Sequence, residues 1–275
     1  MELGAFLRSR RAALTPAQVG LPPALTTRRV PGLRREEVAI LAGVSVDYYV
    51  KLEQGRAGNV SEQVIEAIER ALRLDDLERA HLRSLLRPGS AFTARPVAVV
   101  TKARPALLNM IHAMETVPAV IHGPHLEVLG INQLGKVLLD DFDAMPPAER
   151  NMVRWMFLNP RARVVYRDWA RIAAQMTAVL RAAPAGETLT TIVRGLSARS
   201  PEFARCWADY QLYEHTAGVK LFFHEAVGDL RINYQTLQLP GSLGQTVIVY
   251  SADPGSPSAE KLRLLGSWMA DAAVR

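Results

Sequence analysis

A single glycine constrains the N-terminal part of the chain more than any other residue. Gly43 lies between two short runs of helical apolar spacing, within the segment from Arg35 to Gln54. Two helices that cross at a fixed angle need a turn residue that tolerates positive φ and a small residue at the crossing, and Ala39 meets the second need. The positions expected to be buried are Val38, Ala42, Val44, Tyr49 and Leu52. The pattern predicts a helix-turn-helix, and two helices merely packed as an αα-hairpin are the alternative.

The second helix of this pair has an outward face suited to a major groove. Ser45 is a good N-cap, and the carboxylate of Asp47 in the first turn favours the helix dipole. Val46 can meet a thymine methyl group, and Gln54 can pair with adenine or a phosphate. The contacts predicted on this helix are Ser45, Val46, Asp47, Tyr48, Lys51 and Gln54.

Arginines are concentrated before and at the start of the helix pair. Seven of them, and no acid, lie between Arg8 and Arg35. They create a local positive field that attracts a polyanion such as double-stranded DNA, although an ordinary solvated surface is the alternative. Those assigned to the DNA backbone or an adjacent minor groove are Arg28, Arg29, Arg34 and Arg35. Glu53 is expected to pair with a first-helix arginine, Arg8 or Arg11, rather than with DNA.

The chain is predicted to divide at a short proline- and glycine-containing seam. Residues 1–87 are helical in pattern, residues 88–104 are the expected linker, and residues 105–275 form a second domain. Strand-like runs begin near residues 117, 126, 218, 229 and 245, with a helical stretch inserted after the second run and a closing helix at the end. The fold class is therefore an all-α helix-turn-helix bundle followed by an α+β domain with a five-stranded antiparallel sheet.

One predicted strand carries apolar residues that nearly alternate, which is typical of a half-buried antiparallel strand. They are Leu230, Ile232, Tyr234, Leu237 and Leu239.

Composition narrows the class of protein. Hydrophobic residues make up 49% and charged residues 22%, as in chains that bury real cores. The single cysteine, Cys206, excludes an internal disulfide and a Cys-pair zinc site. No apolar run approaches the roughly 18 residues that a membrane helix needs, and the N-terminus has its acid before its arginines. We expect a cytoplasmic protein without membrane contact.

Several segments together resemble one known family. They are RRVPGLRREEVAILAGVSVDYYVKLEQGR, ERALRLDDLERAHLRSLLRP, NMVRWMFLNPRARVVYRDW, SPEFARCWADY and LPGSLGQTVIVYSADPGSPSAEKLRLL. The chain is similar along almost its whole length to Xre-type helix-turn-helix regulators that carry an MmyB-like C-terminal domain. The resemblance implies a lambda-repressor-like DNA-binding bundle and a PAS-like domain that binds fatty-acid-like molecules.

Large apolar and aromatic residues in the helical insertion can line a cavity between helices and a sheet. A carboxylate tail would need a cation, and Arg154 is the predicted anchor because its planar fork binds both oxygens. The predicted ligand contacts are Arg154, Phe157, Tyr166, Trp169, Trp207, Tyr210, His215 and Tyr234. The alternatives are an ordinary aromatic core and an ion pair between Arg154 and Asp168.

The sequence shows no set of residues typical of a catalytic site, and it predicts no metal site. The only bound small molecule that we expect is the apolar ligand. The histidines show no HExxH spacing, and His122 and His125 are expected at a surface turn. The predicted function is a sequence-specific transcription regulator that binds operator DNA as a homodimer, because one helix-turn-helix reads only a few base pairs. The alternative is a regulator whose second domain serves only dimerisation or partner docking.

Overall fold

The computed structural model of the chain describes residues 2–22, 30, 32–86, 102–184, 186–213, 215–239 and 244–273, with residues 269–273 described by backbone alone. Contacts divide the chain into two compact units, Met1–Arg95 and Pro96–Arg275. Arg28, Arg29 and most of the predicted linker lie outside the described residues. The exact domain boundaries therefore stay a prediction.

Helices make up the described part of the N-terminal unit. They are α1 (Glu2–Ala13), α2 (Arg35–Ala42), α3 (Val46–Glu53), α4 (Glu62–Ala71) and α5 (Asp76–Leu86), with a 3-10 turn at Ala17–Val19. α1 packs against α3 and α5, and α2 packs against α3 and α4. The hydroxyl of Ser61 accepts a hydrogen bond from the Val64 amide at 3.4 Å and so caps the start of α4.

The turn between α2 and α3 has the predicted geometry. Gly43 adopts φ 65° and ψ 31°, and the Val44 amide donates to the carbonyl of Ala39 at 3.0 Å. The Ser45 hydroxyl caps α3 by accepting from the Tyr48 amide at 3.1 Å. Of the five positions expected to be buried, Val44 is half-buried and the other four are buried. The helix-turn-helix prediction is confirmed.

The C-terminal unit contains a single antiparallel sheet in its described residues. Its strands are β1 (Ala119–His122), β2 (Val128–Ile131), β3 (Ala217–His224), β4 (Gly228–Gln238) and β5 (Thr246–Ser251). They are ordered β2-β1-β5-β4-β3, with every neighbouring pair antiparallel. The predicted α+β fold with five strands is confirmed.

Most of the helices of this unit lie between β2 and β3 in the chain. The described helices of the unit are α6 (Pro105–His112), which precedes β1, then α7 (Gln133–Leu138), α8 (Met152–Leu158), α9 (Arg161–Val165), α10 (Trp169–Arg181), α11 (Glu187–Arg199) and α12 (Pro201–Ala208) between β2 and β3, and α13 (Pro257–Ala273), which follows β5. Two 3-10 turns lie at Phe142–Ala144 and Pro147–Glu149.

The two faces of the sheet belong to different cores. The face that we call the inner face carries Phe222, Ile232 and Tyr250, which share one large core with α8 to α12. On the other face, Leu107 and Ile111 of α6 pack against β1 and β5. The insertion between β2 and β3 therefore covers the inner face.

The apolar residues of β4 do not all share one face. Leu230, Ile232 and Tyr234 are buried on the inner face, whereas Leu237 is 40% exposed and Leu239 packs with the α6 core. Side chains of a strand alternate with a strict period of two, so the odd-numbered leucines must point away from Tyr234. The prediction of a half-buried antiparallel strand is confirmed, and the apolar residues change face between Tyr234 and Leu237.

Replacing Gly43 with alanine should destabilise α2 and α3 by about 1 kcal/mol, because a side chain at a left-handed φ is strained even in open space. Hydrogen exchange of the amides in both helices measures the loss. Gly58→Ala is the matched control, since an added Cβ also meets nothing within 4 Å there and its φ is not left-handed. Equal exchange rates in the two variants would contradict the assigned role of the turn.

Candidate functional site

The outward face of α3 is accessible to solvent in the N-terminal unit. Val46 is 40% exposed, Ser45 and Gln54 are exposed, and Tyr48 is half-buried. An exposed valine beside polar groups on a short, rigid helix is the combination that can read base edges in a major groove.

Lys51 and Asp47 form an ion pair on the same face. Lys51 Nζ lies 2.7 Å from Asp47 Oδ2, and the two side chains are 57% and 76% exposed. A pair this exposed contributes little to stability, so Lys51 can exchange its partner for a phosphate at little cost.

A buried carboxylate fixes α3 in place. Glu53 is 1% exposed and accepts hydrogen bonds from Arg11 Nε and Arg35 Nε, each at 2.8 Å. The hydrogen bond and the charge of Glu53 raise the pKa of the Arg35 guanidinium. Of the two arginines proposed as partners, the structure selects Arg11, and it adds Arg35. Glu53 therefore ties α1 and α2 to α3.

The arginines predicted to contact DNA differ in their surroundings. Arg35 remains 45% exposed while its Nε is bound to Glu53, which leaves the outer guanidinium nitrogens for a phosphate. Arg34 precedes α2 and is half-buried, and its amide donates to Glu37 Oε2 at 2.6 Å. Arg28 and Arg29 lie outside the described residues.

The predicted carboxylate anchor Arg154 opens onto a cleft of about 210 Å³ whose wall includes Trp155, Leu158 and Glu149. Its Nε is buried without a hydrogen-bond partner. The alternative partner, Asp168, pairs with Arg171 instead, at 3.1 Å. None of the other seven predicted ligand residues lines this cleft.

Three of the predicted ligand aromatics pack together among the helices. Phe157 meets Trp169 at 5.8 Å and Phe203 at 5.2 Å between ring centroids, and Phe203 stacks on Trp207 at 5.8 Å. The Arg181 guanidinium lies over the rings of Trp207 and Tyr210, at 4.1 and 3.9 Å. These contacts are those of a packed core, the alternative reading of the aromatic residues.

The remaining three predicted residues, Tyr166, His215 and Tyr234, surround a side chain that the sequence analysis did not name. Lys220 of β3 is 0% exposed, and its Nζ lies 2.9 Å from His215 Nε2. The same ammonium lies 4.5 Å from the centre of the Tyr234 ring and 5.8 Å from that of Tyr166.

His122 of β1 belongs to the same electrostatic cluster. It is 1% exposed, and neither of its ring nitrogens has a hydrogen-bond partner in the part of the chain that the structure describes. Burial, and then the charge of Lys220, lower the pKa of His122 to about 3. The expectation of a surface histidine is wrong because strand alternation places His122 on the inner face with Val120. We call Lys220, His122 and His215 the buried basic cluster.

Burial is also the main cause of the lowered pKa of Lys220. It lowers the pKa of Lys220 to about 7, with a further contribution from the charge of Arg171. Burial and the charge of Lys220 hold the pKa of His215 well below its usual range. The two histidines are therefore neutral at pH 7, and Lys220 is close to half protonated.

The signal for Lys220 was present in the sequence but misleading. In VKLFFHEAV the apolar Val219, Leu221 and Phe223 alternate with Lys220 and Phe222, which favours a lysine on the solvent side. The opposite phase is observed: Leu221 is 40% exposed and Phe222 is 0% exposed. Only pairing with β4, where Lys220 is opposite Ile232, reveals the correct face.

Among the described residues, no group of three or more His, Cys, Asp or Glu side chains is arranged to hold a metal ion. In the same part of the chain no helix is both long and apolar enough to cross a membrane.

The geometry of the N-terminal unit defines the class of a helix-turn-helix DNA-binding protein, and comparison with protein families agrees. Residues 2–82 match a helix-turn-helix domain. Residues 103–265, more than half of the chain, match the MmyB-like transcription regulator ligand binding domain. The chain belongs to this family of transcription regulators, and neither matched domain is of an enzyme type. No curated protein matches the chain.

Replacing Lys51 with alanine should lower the slope of log affinity against log salt by about one unit, since each lysine–phosphate contact releases about one counterion. Fluorescence anisotropy on a mixed-sequence duplex at several salt concentrations measures it. Arg70→Ala is the control, because Arg70 is a 71% exposed arginine that pairs with Glu66 on α4. An unchanged slope in Lys51→Ala would remove Lys51 from the DNA contacts.

The stability of the C-terminal unit should rise with pH between about 7 and 9. In this window the unfolded chain holds a proton on Lys220 that the folded chain has lost, so the slope approaches about 1.4 kcal/mol per pH unit. Lys220→Met should remove this slope and raise stability at pH 6. Tryptophan fluorescence isolates the unit, because Trp155, Trp169, Trp207 and Trp268 all lie in it. Parallel pH profiles of wild type and variant would contradict a perturbed Lys220.

Proposed function

We propose that this transcription regulator binds operator DNA through α3 and that an apolar, fatty-acid-like molecule in the C-terminal unit controls the binding. The observation that carries the proposal is the pairing of an exposed, rigidly anchored α3 with a ligand-binding unit that holds cations without acidic partners among the described residues. We place the protein in the cytoplasm, where its DNA target lies.

The proposed DNA contacts follow from exposure and charge. Base edges are contacted by Val46, Tyr48 and Gln54, and phosphates are contacted by Lys51 and Arg35. We retain Arg28, Arg29 and Arg34 as backbone contacts on their charge. Ser45 and Asp47 act mainly on the helix, since Ser45 caps it and Asp47 holds Lys51.

We propose a homodimer on DNA because a single α3 spans only a few base pairs. Two copies on half-sites about one helical turn apart supply the specificity that a genome demands. A ligand controls such a dimer only if it prefers one of two arrangements of the reading helices.

The apolar ligand class rests on the family and on the lining available. Phe157, Trp169 and Trp207 belong to an apolar core among the helices that cover the sheet, and Tyr210 lies beside it, over the Arg181 guanidinium. Arg154 supplies a guanidinium that forms no ion pair among the described residues. A fatty-acid-like molecule matches both, since it combines a long apolar body with one carboxylate.

A second candidate function is a regulator whose C-terminal unit serves dimerisation or partner docking without a ligand. The observation in its favour is that Leu264 and Trp268 on α13 are 47% and 48% exposed. Large apolar groups on one helix are typical of protein interfaces.

The test is a titration of the full chain on the DNA upstream of its own gene, with a scrambled duplex of equal length as control. Saturated carboxylates should change the dissociation constant on the upstream DNA by at least about fivefold, the lower range of typical allosteric coupling. Specific binding that no carboxylate alters would favour the second candidate. Equal affinity for both duplexes would contradict autoregulation through this site.

A further inference from the structure

The buried basic cluster has no acidic partner among the described residues. Lys220 and His215 contact an aromatic ring, a hydroxyl and each other, and the charge of Lys220 acts on buried His122. No described acid contributes to the pKa shifts of the three groups. Buried charges in proteins are normally paired. The cluster is thus a set of donors and potential cations that lacks an anion.

Packing does not explain this arrangement. Replacing buried ionic groups with apolar ones of similar size is often neutral or stabilising, and methionine has about the length of the Lys220 side chain. Both nitrogens of His122 also have no hydrogen-bond partner among the described residues, which is rare for buried polar groups. Two such departures on one sheet face indicate a binding role.

We propose that Lys220, His122 and His215 receive the carboxylate of an acidic apolar ligand, and that Lys220 takes up a proton when the ligand binds. This inference rests on the proposed apolar ligand class and assigns its head group to the inner face of the sheet rather than to Arg154.

The surroundings of the cluster suit such a ligand. The inner face continues from Lys220 into the large apolar core through Phe222 and Ile232, so the side chains next to the cluster are of the apolar type that an aliphatic tail contacts. His215 and Tyr213 are half-buried, whereas Lys220 is fully buried, so the cluster approaches the surface at the segment before β3. Arg154 lies instead in a cleft shared with the carboxylate of Glu149, which repels an anion.

The groups that face the cluster come from every element packed around it. His122 lies on β1, Tyr234 on β4, Tyr250 on β5, and Tyr166 follows α9. Arg171 of α10 contributes its positive charge, and Tyr213 donates to or accepts from the Tyr234 hydroxyl at 2.7 Å. Burial raises the tyrosine pKa values, so these hydroxyls stay neutral through the range tested.

Whether binding takes up or releases a proton follows from the protonation of Lys220 in the ligand-free protein. With a pKa of about 7, Lys220 is about half protonated at pH 7 before binding. A bound carboxylate favours the charged ammonium and raises that pKa. Binding therefore takes up about half a proton at pH 7, close to one at pH 8.5 and almost none at pH 5.5. Above pH 7, the affinity should fall about tenfold per pH unit until the raised pKa is reached.

The experiment is isothermal titration calorimetry of the full chain with saturated carboxylates of about eight to eighteen carbons, and with alcohols of the same lengths. Titrations at each pH in buffers of different ionisation enthalpy give the number of protons taken up. We expect the uptake described above for carboxylates and none for alcohols. Lys220→Met should weaken carboxylate binding at pH 6 at least tenfold, abolish the uptake and spare alcohol binding.

Lys261→Met is the matched control, because Lys261 is a half-buried lysine of the same unit, outside the cluster, whose Nζ donates to the carbonyl of Asp229 at 2.8 Å. It should leave both affinity and uptake unchanged. His122→Leu provides a second variant, expected to weaken carboxylate binding while leaving Lys220 in place. The wild-type uptake alone tests the proposal if a variant fails to fold.

Other outcomes would overturn the proposal in distinguishable ways. Carboxylate binding without proton uptake, or uptake that persists in Lys220→Met, would exclude the cluster and keep the apolar ligand class. Loss of binding in Arg154→Met but not in Lys220→Met would assign the head group to the Arg154 cleft. No binding of any carboxylate or alcohol from pH 5.5 to 8.5 would overturn both the cluster and the proposed ligand class.

Discussion

The alternation of side chains across the antiparallel sheet decides what the C-terminal unit encloses. Once β4 sets Ile232 and Tyr234 inward, the register with β3 places Lys220 inward as well, and β1 brings His122 to the same face. Moving one of these side chains to the other face would shift the pairing register, and with it the neighbouring side chains of the strand. The fold thus holds a lysine and two histidines in an aromatic interior, and an anionic ligand is the binding partner that we propose for them.

The N-terminal unit depends on a different buried charge. Glu53 accepts from arginines of α1 and α2, and removing either partner would leave a buried carboxylate poorly paired. This interaction, with the left-handed turn at Gly43, fixes the direction in which α3 leaves the bundle. A DNA-reading helix needs such rigidity because base contacts tolerate little displacement. Arg35 serves the structure through one nitrogen while the rest of its fork stays exposed.

Local sequence patterns predicted most of the fold. The glycine turn, the cap at Ser45 and the positions of the five strand-like runs along the chain all follow from spacing and turn residues near one another in the chain. The basic cluster could not be predicted in this way, because the phase of β3 is set by pairing with β4 rather than by its own apolar residues. Leu237 lies on the opposite face for a local reason, because its position along the strand differs from that of Tyr234 by an odd number. The sequence also did not show that Arg154 lies apart from Tyr166, His215 and Tyr234. Sequence identifies residue types, whereas which of them lie close together depends on how the helices pack.

The central claim is that the C-terminal unit keeps a lysine poised near neutrality for an anionic ligand. Nuclear magnetic resonance of ¹³Cε-labelled lysine tests it directly, because the chain has only five lysines and Lys220→Met assigns the signal. We predict that the Lys220 signal titrates near pH 7 in the free protein and well above pH 7 with a bound carboxylate. A Lys220 signal that titrates near 10.5, as in an exposed lysine, or one that no carboxylate shifts, would contradict the account.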